Sequence, residues 1–232
     1  MEAVILAGGL GTRLRATVKD VPKPMAPVRD RPFLEILLDY WLAQGVSRFI
    51  LSVGYKKEVI QEHFGSSYRN IPVDYAVEST PLGTGGGLLL ALDQLKSRET
   101  FLALNGDTFF GVNLDAFANF HRESQAQVSL ALFKAPPAGR YNGVGLGDDR
   151  SIRSFGNRSE GQAGGHINGG VYLIHPQAFA TVRKRAGEKI SLEDEVFPAL
   201  VDSGVDFRGY VADARFIDIG MPEDYKLAQN FF

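Results

Sequence analysis

Residues 3–14 read AVILAGGLGTRL, an apolar run from Ala3 to Ala7 that passes directly into Gly8, Gly9 and Gly11 and then into Thr12 and Arg13. A short run of this kind, bounded by glycine, predicts a strand buried on both faces. Two familiar phosphate loops fail to match the residues after it. Counted from Gly9, the dinucleotide fingerprint G-x-G-x-x-G requires glycine at the position where Leu14 stands, and the P-loop requires a Gly-Lys-Ser/Thr that does not appear. The loop can be read as a tight strand-to-helix turn. It can equally be read as an anion cradle, in which backbone N–H groups are approachable because no Cβ stands before them and Arg13 supplies a fixed charge.

Outward from this stretch the rhythm is strand, helix, strand. The segment PFLEILLDYWLAQG places Phe33, Leu34, Leu37, Leu38 and Trp41 on one helical face and stops at Gly45. RFILSVG, a helix around KEVIQEHFG, VDYAV, a helix around GGLLLALDQL, and TFLALNGD come next in turn. This alternation predicts βαβ units and a parallel sheet covered on both faces. After VSLALFKA the pattern changes to glycine-spaced β segments, GVGLG, SIRSF and GGVYLIH, which predict a more antiparallel second half. A helix is expected near Ser191, where the Ser191 to Asp194 spacing suits a capping box. We expect one domain over residues 1–232, with a nucleotide-binding half to about residue 110 and a second-substrate half beyond it.

Composition narrows the chemistry. The 232 residues contain no cysteine, which removes disulfides, thiolate nucleophiles and thiolate metal sites. The four histidines show no metal-ligand spacing, and no Gly-x-Ser-x-Gly elbow is present. The net charge of −2 provides no general attraction for nucleic acid or a membrane surface, and no apolar stretch has membrane-spanning length. A cytoplasmic protein is expected. Locally the balance differs: between Gly11 and Arg31 lie Arg13, Arg15, Lys19, Lys23, Arg29 and Arg31 against only Asp20 and Asp30. Such a run suits a solvated face or a polyphosphate.

In open α/β sheets ligands bind beyond the carboxyl ends of the strands. Loops predicted to lie there are GGLGTR, ESTPLGTGGG, NGD and DIG. Asp107 and Asp218 each come after an apolar run, and together they would supply hard oxygens for Mg²⁺; singly, each is an ordinary turn residue. Lys23 stands between Pro22 and Pro24, which predicts a rigid extended presentation of its ammonium, either to solvent or to a phosphoryl group. The run Gly83 to Gly87 is expected to expose backbone groups to a base edge or a phosphate.

Six segments in order, LAGGLGTRL, PKPMAPV, PLGTGGG, LNGD, INGGVYL and FIDIGMPEDY, resemble the sugar-nucleotide pyrophosphorylases, a family of nucleotidyltransferases, over nearly the whole chain. The longer matches VKDVPKPMAPVRDRPFLE and LNGDTFFGV are most similar to the bacterial heptose 1-phosphate guanylyltransferase branch. This resemblance implies a Rossmann-like three-layer αβα sandwich with a mostly parallel mixed sheet and a smaller sugar-binding subdomain. It implies transfer of GMP from GTP to a sugar 1-phosphate with release of pyrophosphate, and it is compatible with a homodimer. Carried over by position, Arg13 and Lys23 are the catalytic cations. Leu6, Ala7, Gly8, Gly9, Gly11, Thr12, Glu78, Pro81, Gly83, Thr84, Asn105 and Gly106 complete the nucleotide site. Gly143, Asn168 and Gly169 approach the sugar, and Asp107 and Asp218 hold Mg²⁺.

One departure concerns the sugar phosphate. Relatives commonly carry Glu-Lys after the strand matching IRSF, whereas this chain reads Gly156-Asn157-Arg158, so Arg158 or Lys189 is expected to substitute. Two alternatives stand beside the leading reading. One is a guanylyltransferase for mannose 1-phosphate, or a uridylyl or thymidylyl relative. The other is a non-catalytic sugar-nucleotide sensor, against which the joint presence of Arg13, Lys23, Asp107 and Asp218 argues.

Overall fold

The computed structural model describes residues 1–14, 17–134, 143–156 and 165–232. The first half contains β1 (Glu2–Leu6), a ribbon of β2 (Pro27–Val28) and β3 (Arg31–Pro32), α1 (Phe33–Ala43), β4 (Arg48–Val53), α2 (Lys57–Phe64), β5 (Ser67–Tyr68), β6 (Ile71–Val77), α3 (Gly83–Ala91) and β7 (Phe101–Asn105). The second half contains β8 (Thr108–Phe110), α4 (Leu114–Glu123), β9 (Val128–Lys134), β10 (Gly143–Leu146), β11 (Ile152–Phe155) and β12 (His166–Ile174). It ends with α5 (Phe197–Asp202), β13 (Phe207–Val211), β14 (Phe216–Asp218) and α6 (Pro222–Ala228).

The N-terminal apolar run is the centre of the parallel part of the sheet. β1 pairs in parallel with β4 and β7, and β6 adds in parallel outside β4. β12 then lies antiparallel on β7, and β9, β10 and β11 extend the sheet from it by antiparallel pairing. The alternation of side chains explains the layers. Ala3 and Ile5 of β1 join a core with Phe33 and Leu37 of α1 and Phe117 of α4, while Val4 joins the opposite core with Leu88 of α3 and Phe197 of α5. Helices therefore cover both faces of an α/β sheet. No described helix is long and apolar enough to cross a membrane.

Four local features differ from the sequence expectations. The glycines of ESTPLGTGGG do not form an open loop, because α3 already begins at Gly83. Gly85 and Gly86 give their N–H groups to the carbonyl of Ile190, at 3.0 and 3.4 Å, so neither is available to a phosphate or base. Absence of a side chain is needed here for packing: a Cβ on Gly86 would lie 2.4 Å from the Glu188 carbonyl oxygen. The strand expected over GGVYLIH begins earlier, at His166, and is irregular: Asn168 opposes Leu132 and Tyr172 opposes Leu130, so the register slips between them and re-aims Asn168.

At Ser191 the hydroxyl does accept from the Asp194 N–H at 3.0 Å, but the reciprocal bond to the Ser191 N–H comes from Glu195. The physical reason is that Leu192–Val196 winds as a π-turn, which moves the returning carboxylate one residue onward. Lys23 is not extended either. Lys23–Met25 is a 3-10 turn, entered from extended Pro22 and tolerant of Pro24 because no N–H is needed at that position. α4 lies outside the sequence expectations, although Asn113 caps it by accepting from the Ala116 N–H and Leu114, Phe117 and His121 share its buried face.

Candidate active site

The carboxyl ends of β1, β6 and β7 surround a cavity of about 400 Å³. Leu6, Ala7, Gly8, Gly9, Gly11, Thr12, Arg13, Lys23, Glu78, Pro81, Gly83, Thr84, Asn105 and Asp107 line it, together with Leu10, Pro24, Lys189 and Gly220. Close approach explains two of the glycines. A Cβ on Gly8 would lie 2.2 Å from Glu78 Oε1, and Gly11, at φ +57°, would bring one to 2.9 Å from the Lys23 Cβ. Gly106 does not line the cavity. It lies beneath it, giving its N–H to the Leu6 carbonyl at 2.9 Å.

A second cavity of about 720 Å³ adjoins the first, and Arg13, Asn105 and Asp107 line both. Gly143, Asn168 and Asp218 line the second, with Thr108, Phe155, Gly156, Gly170, Glu193, Asp194 and Phe216 among its other walls. Gly169 packs against Phe110 instead, where a Cβ would strike the ring at 2.3 Å. Lys189 faces the first cavity and not the second. Arg158 lies outside the described residues.

The cationic run divides sharply. Arg31 pairs with Glu35 and Asp39 on the outer face of α1, and Arg29 is held by Gln229. Arg15 lies outside the described residues. Arg13 and Lys23 are the members of the run that line the cavities. Lys23 donates to Asp107 and lies 3.8 Å from Asp218, so one ammonium sits between two carboxylates. Asp218 is carried there by the antiparallel ribbon of β8 and β14, in which it opposes Thr108.

This donor set fits Mg²⁺. Two hard carboxylates converge where a cation is already gathered, and a Cβ on Gly220 would fill the same space, 2.7 Å from Asp218 Oδ1 and 2.8 Å from Lys23 Nζ. Among the described residues no third His, Cys, Asp or Glu joins them. Mg²⁺ commonly takes one or two carboxylates and completes its shell with phosphate oxygens and water.

Glu78 is buried at the end of β6. Its Oε1 accepts from the Ser52 hydroxyl at 3.1 Å and its Oε2 from the Leu82 N–H at 2.9 Å. It therefore holds the turn into α3 while also facing the first cavity. The side chains that sequence reading overlooked are chiefly those of the second cavity, Glu193 above all. Their only advance signal was the helix start at Ser191.

Two adjoining cavities lie on the carboxyl side of a mixed α/β sheet, with two cations and two carboxylates among their walls. The chain belongs to the nucleotidyl transferase family, whose model matches residues 2–232. It is 41% identical to a D-glycero-α-D-manno-heptose 1-phosphate guanylyltransferase of Aneurinibacillus thermoaerophilus, over 99% of this chain and 97% of that protein. A Campylobacter jejuni protein of the same description is 40% identical, with 97% of each chain covered. The crystal structure of HddC from Yersinia pseudotuberculosis complexed with GMP-PN superposes with a TM-score of 0.82 at 33% identity, covering 99% of this chain and 98% of that one.

Proposed function

We propose that this chain transfers the guanylyl group of GTP to a heptose 1-phosphate, giving GDP-heptose and pyrophosphate, with Mg²⁺ as cofactor. The observation that carries this reading is the shared border of the two cavities, where Arg13, Asn105 and Asp107 face both. The choice of guanine and heptose is supported by the activity for which both bacterial relatives are named.

GTP would occupy the first cavity and the sugar phosphate the second, so that the α-phosphorus lies at the border. A phosphate oxygen of the sugar forms a bond to that phosphorus. The bond from phosphorus to the bridging oxygen of the β-phosphate breaks, and pyrophosphate leaves with the electron pair. The attacking oxygen is already anionic, so no general base is needed and the protein's work is positioning and neutralisation. Arg13 and Lys23 supply positive charge at the reacting centre. Asp107 and Asp218 would hold Mg²⁺, which when bound neutralises and orients the phosphate oxygens.

A pyrophosphate-release screen of four nucleoside triphosphates against hexose and heptose 1-phosphates tests this. The highest kcat/KM is expected for GTP with D-glycero-α-D-manno-heptose 1-phosphate. Equal or better turnover of mannose 1-phosphate would replace the sugar assignment. Silence throughout, with nucleotide binding retained, would make the chain a sensor.

A further inference from the structure

A string of hydrogen bonds runs from one cavity to the other through the protein interior. Thr84, on the wall of the first cavity, donates its hydroxyl to Glu193 Oε2 at 2.7 Å and accepts from the Leu192 N–H at 2.9 Å. Glu193 lines the second cavity, and its Oε1 accepts from the Tyr172 hydroxyl at 3.2 Å. Tyr172 is fully buried and accepts in turn from Asn168 Nδ2 at 2.8 Å. The donors are thereby ordered. Asn168 gives to Tyr172, and Tyr172 and Thr84 both give to Glu193.

Glu193 differs from the other carboxylates of its cavity. Asp107 and Asp218 share Lys23, and Asp194 accepts from Ser191 at the start of the π-turn. Glu193 receives two neutral hydroxyls, and among the described residues no salt bridge reaches it. An ionised carboxylate has about four lone-pair sites; Thr84, Tyr172 and the Glu193 backbone N–H use three of them, which leaves about one for a further donor. An acceptor-only group without a cation repels a phosphate and takes neutral O–H donors. A sugar 1-phosphate has both ends, an anion suited to Arg13 and hydroxyls suited to Glu193. Gly156, on the same cavity wall, offers no side chain for that purpose.

Resting on the guanylyl-transfer reading, we propose that Glu193 accepts a hydroxyl group of the sugar in the second cavity, and that Tyr172 and Thr84 are positioning residues that aim it. Thr84 thus ties the nucleotide-side wall to the sugar-binding carboxylate.

Steady-state kinetics with GTP and the best sugar 1-phosphate test the proposal, alongside thermal melting of each variant. Glu193→Gln is expected to raise KM for the sugar phosphate about tenfold or more, the effect of losing a hydrogen bond to a charged group. KM for GTP and the melting temperature should stay near the wild-type values. Tyr172→Phe and Thr84→Val should move the same constant in the same direction, and Thr84→Ser should restore it. Deoxy analogues of the sugar add a second readout: one of them should bind wild type and Glu193→Gln equally. A sugar KM unmoved in stable Glu193→Gln, or one that rises in step with KM for GTP, overturns the proposal. Should Glu193→Gln fail to fold, Tyr172→Phe decides by the same criteria. A wild type silent on every sugar phosphate overturns the transferase reading together with this one, whereas an active wild type with unmoved sugar KM overturns this one alone.

Discussion

Lys23 donates to Asp107 and lies 3.8 Å from Asp218, which makes it the counter-charge of two carboxylates that line the second cavity while it lines the first. Its effect should be largest where negative charge develops, because a donor that acts only in the transition state shows in kcat. Lys23→Ala is therefore expected to lower kcat about 10²-fold or more while changing KM for GTP far less. A rise in KM alone, measured at saturating sugar phosphate, would make Lys23 a ground-state binding residue. The prolines around Lys23 suggested an extended presentation in place of the 3-10 turn that forms, and its partners could not be read from them, since Asp107 is 84 residues away. The resemblance put Glu78 in the nucleotide site, and there it also holds Ser52 and the turn at Leu82. Guanine offers adjacent N1–H and amino donors to a carboxylate, whereas uracil presents carbonyls that the same charge repels. Glu78→Gln should accordingly reduce turnover of GTP and narrow its advantage over UTP, each lost charge-assisted bond being worth roughly 1.5–3 kcal/mol. An unchanged GTP to UTP ratio, in a variant with wild-type melting behaviour, would assign base selection to other residues.

At the scale of elements, α3 shows how the same glycines serve a different purpose from the one their spacing suggested. Composition alone marks such a run as permissive, and it cannot say whether the bare backbone faces a ligand or a neighbouring segment. Here Gly85, Gly86 and Gly87 are buried, and the neighbours are Ile190, Glu188 and Ser52. The contact fixes the segment that carries Lys189 toward one cavity and Glu193 toward the other. Gly86→Ala must displace either the helix or the Glu188 carbonyl, because its Cβ would stand 2.4 Å from that oxygen. Overpacking of this kind costs about 1–3 kcal/mol. Urea unfolding of Gly86→Ala is expected to show that loss, with KM for both substrates raised because both walls move together. Wild-type stability would mean that the 188–196 segment yields without cost. Strands were the more legible elements, since the short apolar run of Ala3 to Ala7 stops at glycine and leaves little room for a helix. The β12 bulge was not legible, because its glycines answer to pairing with β9 rather than to their own neighbours in sequence.

For the whole molecule, strand order decides which loops meet, and it depends on pairings between distant segments that local periodicity does not encode. β12 pairs with β7, β9 and β10, and β13 returns parallel to β9. His121 of α4 sits within that assembly, its Nδ1 2.8 Å from the Ser129 hydroxyl of β9 and its Nε2 3.3 Å from the Thr100 hydroxyl just before β7. Burial, with a smaller contribution from His175, lowers its pKa from 6.5 to about 4. Between those values the unfolded chain carries a proton that the folded chain does not, so folding stability rises with pH across this window. The contribution is fully present above pH 6.5 and is lost as the pH falls toward 4, to a total of up to about 3 kcal/mol. Since unfolding releases the imidazole from α4, β9 and the segment before β7 at once, the effect should appear in global unfolding. Urea titrations at pH 7.5, 6.0 and 5.0 are expected to show wild-type stability falling toward acid, by as much as about 1.4 kcal/mol for each pH unit from this group. In His121→Asn the stability at pH 7.5 should be lower, and the decline between pH 6.5 and 5 shallower by up to one proton. Above pH 5 most carboxylates are ionised in both states, so they leave that slope to histidine. Parallel slopes in the two proteins would show that His121 protonates as readily in the folded chain as in the unfolded one.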